Sequence, residues 1–180
     1  MAIEPFPHAA QGVVLRRLEP GDLAAFQAYR HDPEVGRYQG WTPVPDAEAA
    51  TFLDEMQRAR CFVPGAWFQV GIADIEAAAL VGDIGLWVSV AGDTGEIGIS
   101  LARCVQRSGI ATRAMREAIG LLFAHTSIER VRAVTDARNA ASIRLLERVG
   151  MRRVESRDAE FRGERCREHV YTVERPAPVA

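Results

Sequence analysis

Lysine is absent from this chain of 180 residues, and its 22 basic residues are all arginine. Because 24 acidic residues accompany them, the formal net charge is -2, which gives no indication of nucleic-acid or membrane binding. Cysteine is also scarce. Cys61, Cys104 and Cys166 are widely spaced and odd in number, which argues against a disulfide framework and a clustered zinc site. We therefore expect no metal.

Long apolar runs are missing as well. No stretch approaches the roughly 20 residues that a membrane-spanning helix needs, and residues 1–12 lack the basic start and apolar run of a signal peptide. We therefore expect a cytoplasmic protein. Its 48% hydrophobic and 26% charged residues are typical of a soluble globular chain. We expect one domain over residues 1–180, with a core at about 13–174 and frayed ends.

Hydrophobic periodicity and turn residues predict a mixed α/β (α+β) domain. The predicted order is β-α-α-β-β-β-α-β-α-β-β, over residues 13–18, 23–30, 46–60, 67–72, 80–90, 96–101, 109–125, 130–135, 139–148, 151–155 and 168–173. Proline and glycine break the stretch between the first two helices into a loop or short helical turns. The order predicts a sheet with a meander on one side and a β-α-β crossover on the other.

The turn at residues 106–111, Gln-Arg-Ser-Gly-Ile-Ala, carries the strongest indication of function. It leads a strand into a helix N-terminus, where the first N–H groups lack partners and the macrodipole favours an anion. Gly109 lets the backbone approach a phosphate, and Arg107, Arg103 or Arg113 can add charge-assisted hydrogen bonds. An ordinary strand-to-helix turn explains the same residues equally well. The turn is neither a P-loop nor a dinucleotide fingerprint.

Five motifs, in the expected order, resemble those of the GNAT acetyltransferases. Residues 106–111, after the predicted fourth strand, are similar to the family's acetyl-CoA motif, Q/R-x-x-G-x-G/A. Residues 139–151 are similar to its next motif, N-x-x-[AS]-x-x-L-x-E-x-x-G-F. Residues 15–23, 32–35 and 81–85 resemble the RimJ/RimL-type branch. Each motif alone is weak, but together they form a specific pattern.

The resemblance implies a GNAT fold, with a mostly antiparallel central sheet whose fourth and fifth strands splay apart, and acetyl-CoA as cofactor. It implies direct transfer of the acetyl group to a primary amine in a ternary complex. That amine is either a protein N-terminus, as in RimJ/RimL-type enzymes, or a small molecule such as an aminoglycoside, polyamine or amino-acid analogue. A catalytically silent acyl-CoA-binding module is a third alternative. Monomer and homodimer are both open.

The resemblance also implies where the cofactor lies. Its pantetheine arm would follow the main chain in the splay, and its pyrophosphate would lie over the turn. The cofactor-binding residues implied in this way are Leu101, Cys104, Val105, Gln106, Arg107, Ser108, Gly109, Ile110, Ala111, Thr112, Asn139 and Ser142. For Asn139, helix capping is the alternative role. Three positions depart from the family. Arg107 and Ser108 stand where Gly followed by Lys or Arg is more frequent, and Leu146 stands where many members carry a Tyr that protonates the leaving thiolate.

Acetyl transfer to an amine needs a base for the amine proton and an N–H donor for the oxyanion. Glu96 is the first candidate for the base, because several family members use a carboxylate at this place. A solvated carboxylate at a strand start is the alternative. Ser142 is a candidate to supply a proton in place of the missing Tyr, and a helix-surface serine is its alternative. The resemblance places the oxyanion donor at about residues 99–101.

The acceptor pocket is expected between the first two helices, their loop and the final hairpin. Tyr38 and Trp41 in that loop are candidate walls, together with Glu96; an aromatic in such a loop can equally just pack it down. Trp87 is assigned to the core. A cationic small substrate would need several carboxylates converging on the pocket, and those available in the sequence are Asp32, Glu34, Asp46 and Glu48.

Overall fold

The computed structural model describes residues 4–75 and 78–177. In chain order the main elements are β1 (His8–Ala10), β2 (Val13–Arg17), α1 (Leu23–Arg30), α2 (Pro33–Gly36), α3 (Asp46–Arg58), β3 (Trp67–Asp74), β4 (Leu80–Val88), β5 (Thr94–Leu101), α4 (Ile110–His125), β6 (Arg130–Asp136), α5 (Ala140–Arg148), β7 (Arg152–Phe161) and β8 (Glu164–Glu174). None of the helices in these ranges has the length and apolar character to cross a membrane. The ends that were predicted to be frayed include residues 1–3 and 178–180, which lie outside the described residues.

The eight strands form one sheet in the order β1-β2-β3-β4-β5-β6-β8-β7. Among the described residues β5 and β6 are parallel, and the other neighbouring strands are antiparallel. The parallel pair extends over three residue pairs, from Thr94–Arg130 to Glu96–Arg132. Beyond it the two strands continue without pairing with each other, while β5 stays paired with β4 and β6 with β8. A V-shaped gap opens between them. The predicted mixed α/β fold is therefore confirmed, and the predicted fourth and fifth strands, which were expected to splay apart, are β5 and β6.

Helices cover both faces of the sheet. Gly95 of β5 lies on the face covered by α4, since a Cβ there would come within 2.7 Å of Ile128 Cδ1 and 3.6 Å of Leu122 Cδ1. The larger core lies on this face and includes Leu15, Val70, Ile84, Leu86, Ile97, Ala114 and Leu122, each 3% exposed or less. A smaller core joins α1, α2 and α3 to the opposite face and consists of Leu18, Phe26, Tyr29, Val35, Ala49, Leu53 and Leu80.

Both edges of the sheet extend beyond the prediction. At one edge β1 pairs with β2 through a turn at Gln11 and Gly12, which both have positive φ. At the other edge β7 and β8 form a long hairpin closed by Arg162 and Gly163, whose φ angles of 53° and 79° are those of a two-residue hairpin turn. Because most of β7 is exposed on both faces, its sequence lacks the apolar alternation that reveals a strand.

Candidate active site

Main-chain groups of β5 line the gap between β5 and β6. Ala102 N donates to Val81 O at 2.9 Å, and Ser89 N donates to Thr94 O at 2.8 Å. The even-numbered residues of β5 therefore bond to β4, and the intervening odd-numbered residues direct their N–H and C=O groups the other way. Ile99 and Leu101 consequently point these groups into the gap, where β6 has diverged. This is the region predicted to hold the oxyanion donor and the pantetheine arm.

Two glutamine side chains already bond to carbonyl groups in this gap. Gln106 Nε2 donates to Leu101 O at 3.0 Å, which ties the turn back to the end of β5. Gln39 Nε2, from the loop after α2, donates to Ile99 O at 2.9 Å. The loop predicted to bind the acceptor and the strand predicted to bind the cofactor therefore meet at Ile99.

The turn before α4 presents main-chain N–H groups to an anion. Gly109 is the N-cap of α4 with a φ of 84°, and it has no side chain that could cap the helix. Arg107 also lies in the left-handed region, with a φ of 63°. Ser108 Oγ donates to Val105 O at 2.6 Å, which holds the turn closed. Ile110 N donates to Ser108 Oγ at 3.5 Å, whereas the N–H groups of residues 111 and 112 have no side-chain acceptor in the described part of the chain and are available to a phosphate.

Arg113 adds a guanidinium group above this turn. A Cβ at position 109 would lie 2.9 Å from Arg113 Nη1, the end of a flexible side chain that could move away, so Gly109 is needed chiefly for its positive φ. Nε of Arg113 is buried and has no hydrogen-bond partner in the described part of the chain. A diphosphate would satisfy such an unpaired donor, so the turn fits the pyrophosphate of coenzyme A. Arg103 instead lies 3.7 Å from Asp32, and Cys104 is exposed.

Asn139 lies at the far side of the gap, where β6 turns into α5. Its Oδ1 accepts a hydrogen bond from Ser142 N at 3.1 Å, so it is the N-cap of α5. This leaves the Nδ2 donors for a ligand, so that capping and cofactor binding are compatible roles. The turn is held by Asp136, whose carboxylate bonds to Arg138 N at 2.7 Å. Ser142 follows on the first turn of α5 and is half-buried.

Leu146, at the position where many family members carry Tyr, is 3% exposed and packs in the larger core. The position therefore supplies no proton donor. Within α5 this leaves Ser142 as the hydroxyl near Asn139, and its role as general acid stays a prediction.

Glu96 lies at the base of the gap, at the last residue pair before the strands diverge. Its Oε2 is 2.7 Å from both Nε and Nη2 of Arg132, so an ion pair across the two strands holds the carboxylate in place. Trp87 faces it from β4. All three side chains lie on the face opposite α4, and Trp87 is half-buried there, not in the core as predicted.

Trp41 is fixed against the upper end of β5. Its Nε1 donates to Ser100 Oγ at 2.9 Å, and Cζ of Arg30 lies 4.4 Å from its ring centroid. Arg162, at the tip of the β7–β8 hairpin, donates to Trp41 O at 2.9 Å. The structure thus brings Trp41 to the gap. Tyr38 lies beside it in the loop, half-buried and in contact with the guanidinium of its neighbour Arg37.

Trp41 packs on Arg30, which belongs to a buried charge cluster that the sequence did not reveal. Asp83 of β4 is 2% exposed and accepts hydrogen bonds from Tyr29 Oη and from Arg30 Nη2, the latter at 2.9 and 2.8 Å. Burial raises the pKa of Asp83 and that of Tyr29, while the Arg30 guanidinium acts in the opposite direction. A charged residue inside an otherwise apolar strand was the available signal. Nothing in the sequence connects it to α1.

The four carboxylates considered for a cationic substrate lie on two separate elements. Asp32 caps α2 by accepting from Glu34 N at 2.9 Å, and Asp46 in α3 accepts from Gln27 Nε2 at 2.9 Å. Glu34 and Glu48 are exposed. Neither hydrogen bond involves a residue of the gap, and Asp32 is also paired with Arg103, so we do not assign the four carboxylates to a common acidic site.

Comparison with known proteins agrees with this arrangement. Residues 13–152 match the acetyltransferase (GNAT) domain family. The chain therefore belongs to the GNAT acetyltransferases, and it is an acetyl-CoA-dependent N-acetyltransferase. No curated protein sequence matches it significantly.

Solved structures match over almost the whole chain. An acetyltransferase of the GNAT family from Bacillus anthracis has a TM-score of 0.82 at 22% identity, with 92% of this chain and 96% of that chain covered. A spermidine N-acetyltransferase from Vibrio cholerae, in complex with CoA and spermine, has a TM-score of 0.77 at 18% identity and coverages of 91% and 95%. A proposed ribosomal-protein-serine acetyltransferase from Vibrio cholerae has a TM-score of 0.75 at 19% identity, with 93% of this chain and 96% of that chain covered. At these identities the similarity shows the fold alone.

Proposed function

We propose that this enzyme acetylates the N-terminal amine of a peptide or protein, as RimJ/RimL-type enzymes do. The observation that carries the proposal is the charge on the face of the sheet opposite α4. There Glu96 and Asp136 on the two strands of the gap, and Glu168 on the neighbouring β8, are each held by an arginine, at 2.7, 2.7 and 3.2 Å: Glu96 with Arg132, Asp136 with Arg138, and Glu168 with Arg157. A polyamine or aminoglycoside needs a strong negative potential, and these pairs neutralise it.

An open cavity of about 690 Å³ continues from the end of β6 along the β7–β8 hairpin. Its lining includes charges of both signs, among them Arg138, Asp158, Glu160 and Arg167. A cavity that follows the hairpin and carries charges of both signs suits an extended peptide, whose main chain is polar but uncharged. The relatives point both ways, since one was solved with spermine and another is a proposed ribosomal-protein-serine acetyltransferase.

For the reaction, acetyl-CoA supplies an acetyl group activated as a thioester. We assign its binding to the turn at residues 106–112 with Arg113, to the main chain of Leu101 to Val105, and to Asn139. The N–H of Ile99 points into the gap and can donate to a developing oxyanion. Glu96 accepts the amine proton, directly or through water, and Arg132 keeps it oriented. Ser142 donates a proton to the leaving sulfur.

The experiment is a steady-state assay that measures released thiol with a panel of acceptors. We expect turnover with short peptides that have free N-termini and background rates with spermidine and kanamycin. A higher kcat/KM for either polycation than for every peptide would contradict the proposal. Calorimetric titration with acetyl-CoA provides a separate measure of cofactor binding, so that a failure of acceptor choice is not confused with a failure of the cofactor site.

The base is tested by Glu96→Gln, which we expect to lower kcat by about 10²-fold or more, with an altered pH–rate profile. Arg132→Gln is the matched control, because it removes the ion-pair partner but keeps the carboxylate. It should lower kcat less than Glu96→Gln does. An unchanged pH–rate profile in the Glu96 variant would remove this residue from the role.

A further inference from the structure

We propose an aromatic subsite for the acceptor on the sheet face opposite α4, formed by Trp67 lying over Gly85 and opening at Gly98. It binds an apolar group near the reacting amine. The inference rests on the proposed function, because it takes the ligand to be the amine that reaches the gap between β5 and β6. It goes beyond that function because it names which peptide N-termini are preferred.

The strand register places the subsite beside the reacting end of the gap. Trp67, Trp87 and Glu96 are directly opposite one another on β3, β4 and β5. In the next row on the same face, Gly85 is opposite Gly98. Gly98 immediately precedes Ile99, whose N–H points into the gap, so the row of Gly85 and Gly98, which the Trp67 ring contacts at Gly85, ends beside the proposed oxyanion donor.

The two glycines have different surroundings. A Cβ at Gly85 would come within 3.3 Å of Cε3 and Cζ3 of Trp67, so the indole ring lies on this glycine. A Cβ at Gly98 would meet no heavy atom within 4 Å, and Gly98 is exposed. Because neighbouring strands are about 4.8 Å apart, the open space above Gly98 lies directly beside the indole. Together the two positions form a shallow trough with one aromatic wall.

The exposure of Trp67 supports a ligand there. The residue is 50% exposed, and its ring centroid is 6.5 Å from that of Trp87, so the two indoles form one apolar surface. Tryptophan has a large apolar area, and a contiguous aromatic surface beside a reaction site is typical of a binding site. The apolar side chain of a substrate would shield it from water.

Gln69 supplies a second, independent observation. Its Oε1 lies 2.8 Å from the position of a Cβ at Gly85, is buried, and accepts no hydrogen bond from any residue in the described ranges. An unpaired buried acceptor costs about 1–3 kcal/mol unless a donor reaches it. A main-chain N–H of a peptide lying along Gly98 would be such a donor, whereas an alkane or a lipid chain would not.

These features define the ligand as a peptide N-terminus with an apolar side chain in its first or second residue. Two residues of extended chain reach about 7 Å, which spans the distance from the gap at Ile99 to the neighbouring strand. Peptides beginning Met-Phe or Phe-Ser should therefore be better acceptors than peptides beginning Gly-Ser.

The test compares KM values for Met-Phe and Gly-Ser peptides in three variants. Trp67→Ala should raise KM for the Met-Phe peptide about 10-fold and leave its Kd for acetyl-CoA unchanged. Gly98→Leu should have the same selective effect by filling the trough. Gly120→Leu is the matched control, because a Cβ at this exposed α4 position also meets nothing within 4 Å. It should change neither KM.

Gln69→Met separates a ligand role from a structural one. It should raise KM for both peptides and leave the unfolding midpoint unchanged or higher, because it removes an unpaired polar atom; a lower midpoint with an unchanged KM would contradict the role of Gln69. An equal KM ratio in wild type and Trp67→Ala would overturn the subsite. So would a change of oligomeric state in sedimentation without a change in KM, since Trp67 would then be a contact between copies.

Failure of the proposed function is distinguishable from failure of the subsite. If wild type acetylates no peptide, the proposed function fails, and the same variants are then assayed with phenethylamine and ethylamine. A preference for phenethylamine that Trp67→Ala abolishes would support the subsite for small amines. Absence of any preference would remove it.

Discussion

Arg107 carries a conformation that suits glycine better than arginine. Its φ of 63° is in the left-handed region, where a side chain costs about 1–2 kcal/mol. This explains why the family more often has Gly at this position. This conformational cost is consistent with a binding role for the positive charge of Arg107, because its guanidinium lies in the turn assigned to the pyrophosphate.

We expect Arg107→Gly to stabilise the fold and weaken cofactor binding. Relief of about 1–2 kcal/mol of strain is at least as large as the roughly 0.4–1 kcal/mol that a glycine adds in unfolded-chain entropy, so the free energy of unfolding should rise by up to about 1.6 kcal/mol. Arg107→Ala is the control, because it removes the charge but keeps the strain. Urea unfolding and calorimetry measure the two effects. Equal stability of the two variants would contradict the strain argument.

At the scale of elements, the connection from β6 to α5 determines where Asn139 is placed. Sequence reasoning found Asn139 but left capping and cofactor binding as alternatives. The geometry makes them compatible, because Oδ1 caps the helix and Nδ2 is directed elsewhere. A substitution that keeps the capping oxygen of Asn139 but removes its amide nitrogen therefore separates the two roles.

Asn139→Asp should keep the cap, since Asp is as good an N-cap as Asn. It should leave the free energy of unfolding nearly unchanged but raise the Kd for acetyl-CoA, because the amide donor is lost. Asn139→Ala should raise the Kd and also lower the free energy of unfolding by about 1 kcal/mol. If Asn139→Asp bound acetyl-CoA as tightly as wild type, the residue would be a cap alone.

The same connection should make stability depend on acid pH. Hydrogen bonds from Arg138 hold the pKa of Asp136 below its usual value. A carboxyl group whose pKa is lowered in the folded state adds stability above its unfolded pKa of about 3.9, and this is lost as the pH falls through the lower folded value. The difference in unfolding free energy between wild type and Asp136→Asn should therefore shrink from about pH 5 to about pH 3. An equal difference at both pH values would contradict this.

At the scale of the whole molecule, the Arg30–Asp83 pair joins the helices of the acceptor side to the sheet. Arg30 is 6% exposed and Asp83 is 2% exposed, so neither charge is solvated by bulk water. Removing one partner leaves the other charge buried without compensation, which typically costs about 3–5 kcal/mol.

Arg30→Met should therefore lower the free energy of unfolding by about 3–5 kcal/mol. Adding Asp83→Asn should recover part of the loss. Without Arg30, burial raises the pKa of Asp83 further, so the single variant should be most stable in acid and lose stability as the pH rises. Urea unfolding at several pH values tests both statements. Additive losses in the double variant would show that the two charges do not act as a pair.

The sequence alone determined the elements whose side chains repeat with a clear period, together with the motif residues in turns. The apolar stripe of α4 and the alternation in β6 follow from local geometry, and Gly109 follows from the need for a backbone that can approach a phosphate without a Cβ in the way. The strand pair β7–β8 was predicted, but its extension to the turn at Arg162 and Gly163 was not, because exposure of most of β7 on both faces leaves no apolar pattern.

Only the tertiary structure decided how distant residues combine. The pairing of Glu96 with Arg132, the support of Trp41 by Arg30 and Asp83, and the Trp67 wall above Gly85 each depend on which strands are neighbours and in which register. Register is a property of the whole sheet, because a shift by one residue moves each side chain to the opposite face. The sequence therefore indicated where acetyl-CoA binds, whereas the surface that meets the amine emerged only from the assembled sheet.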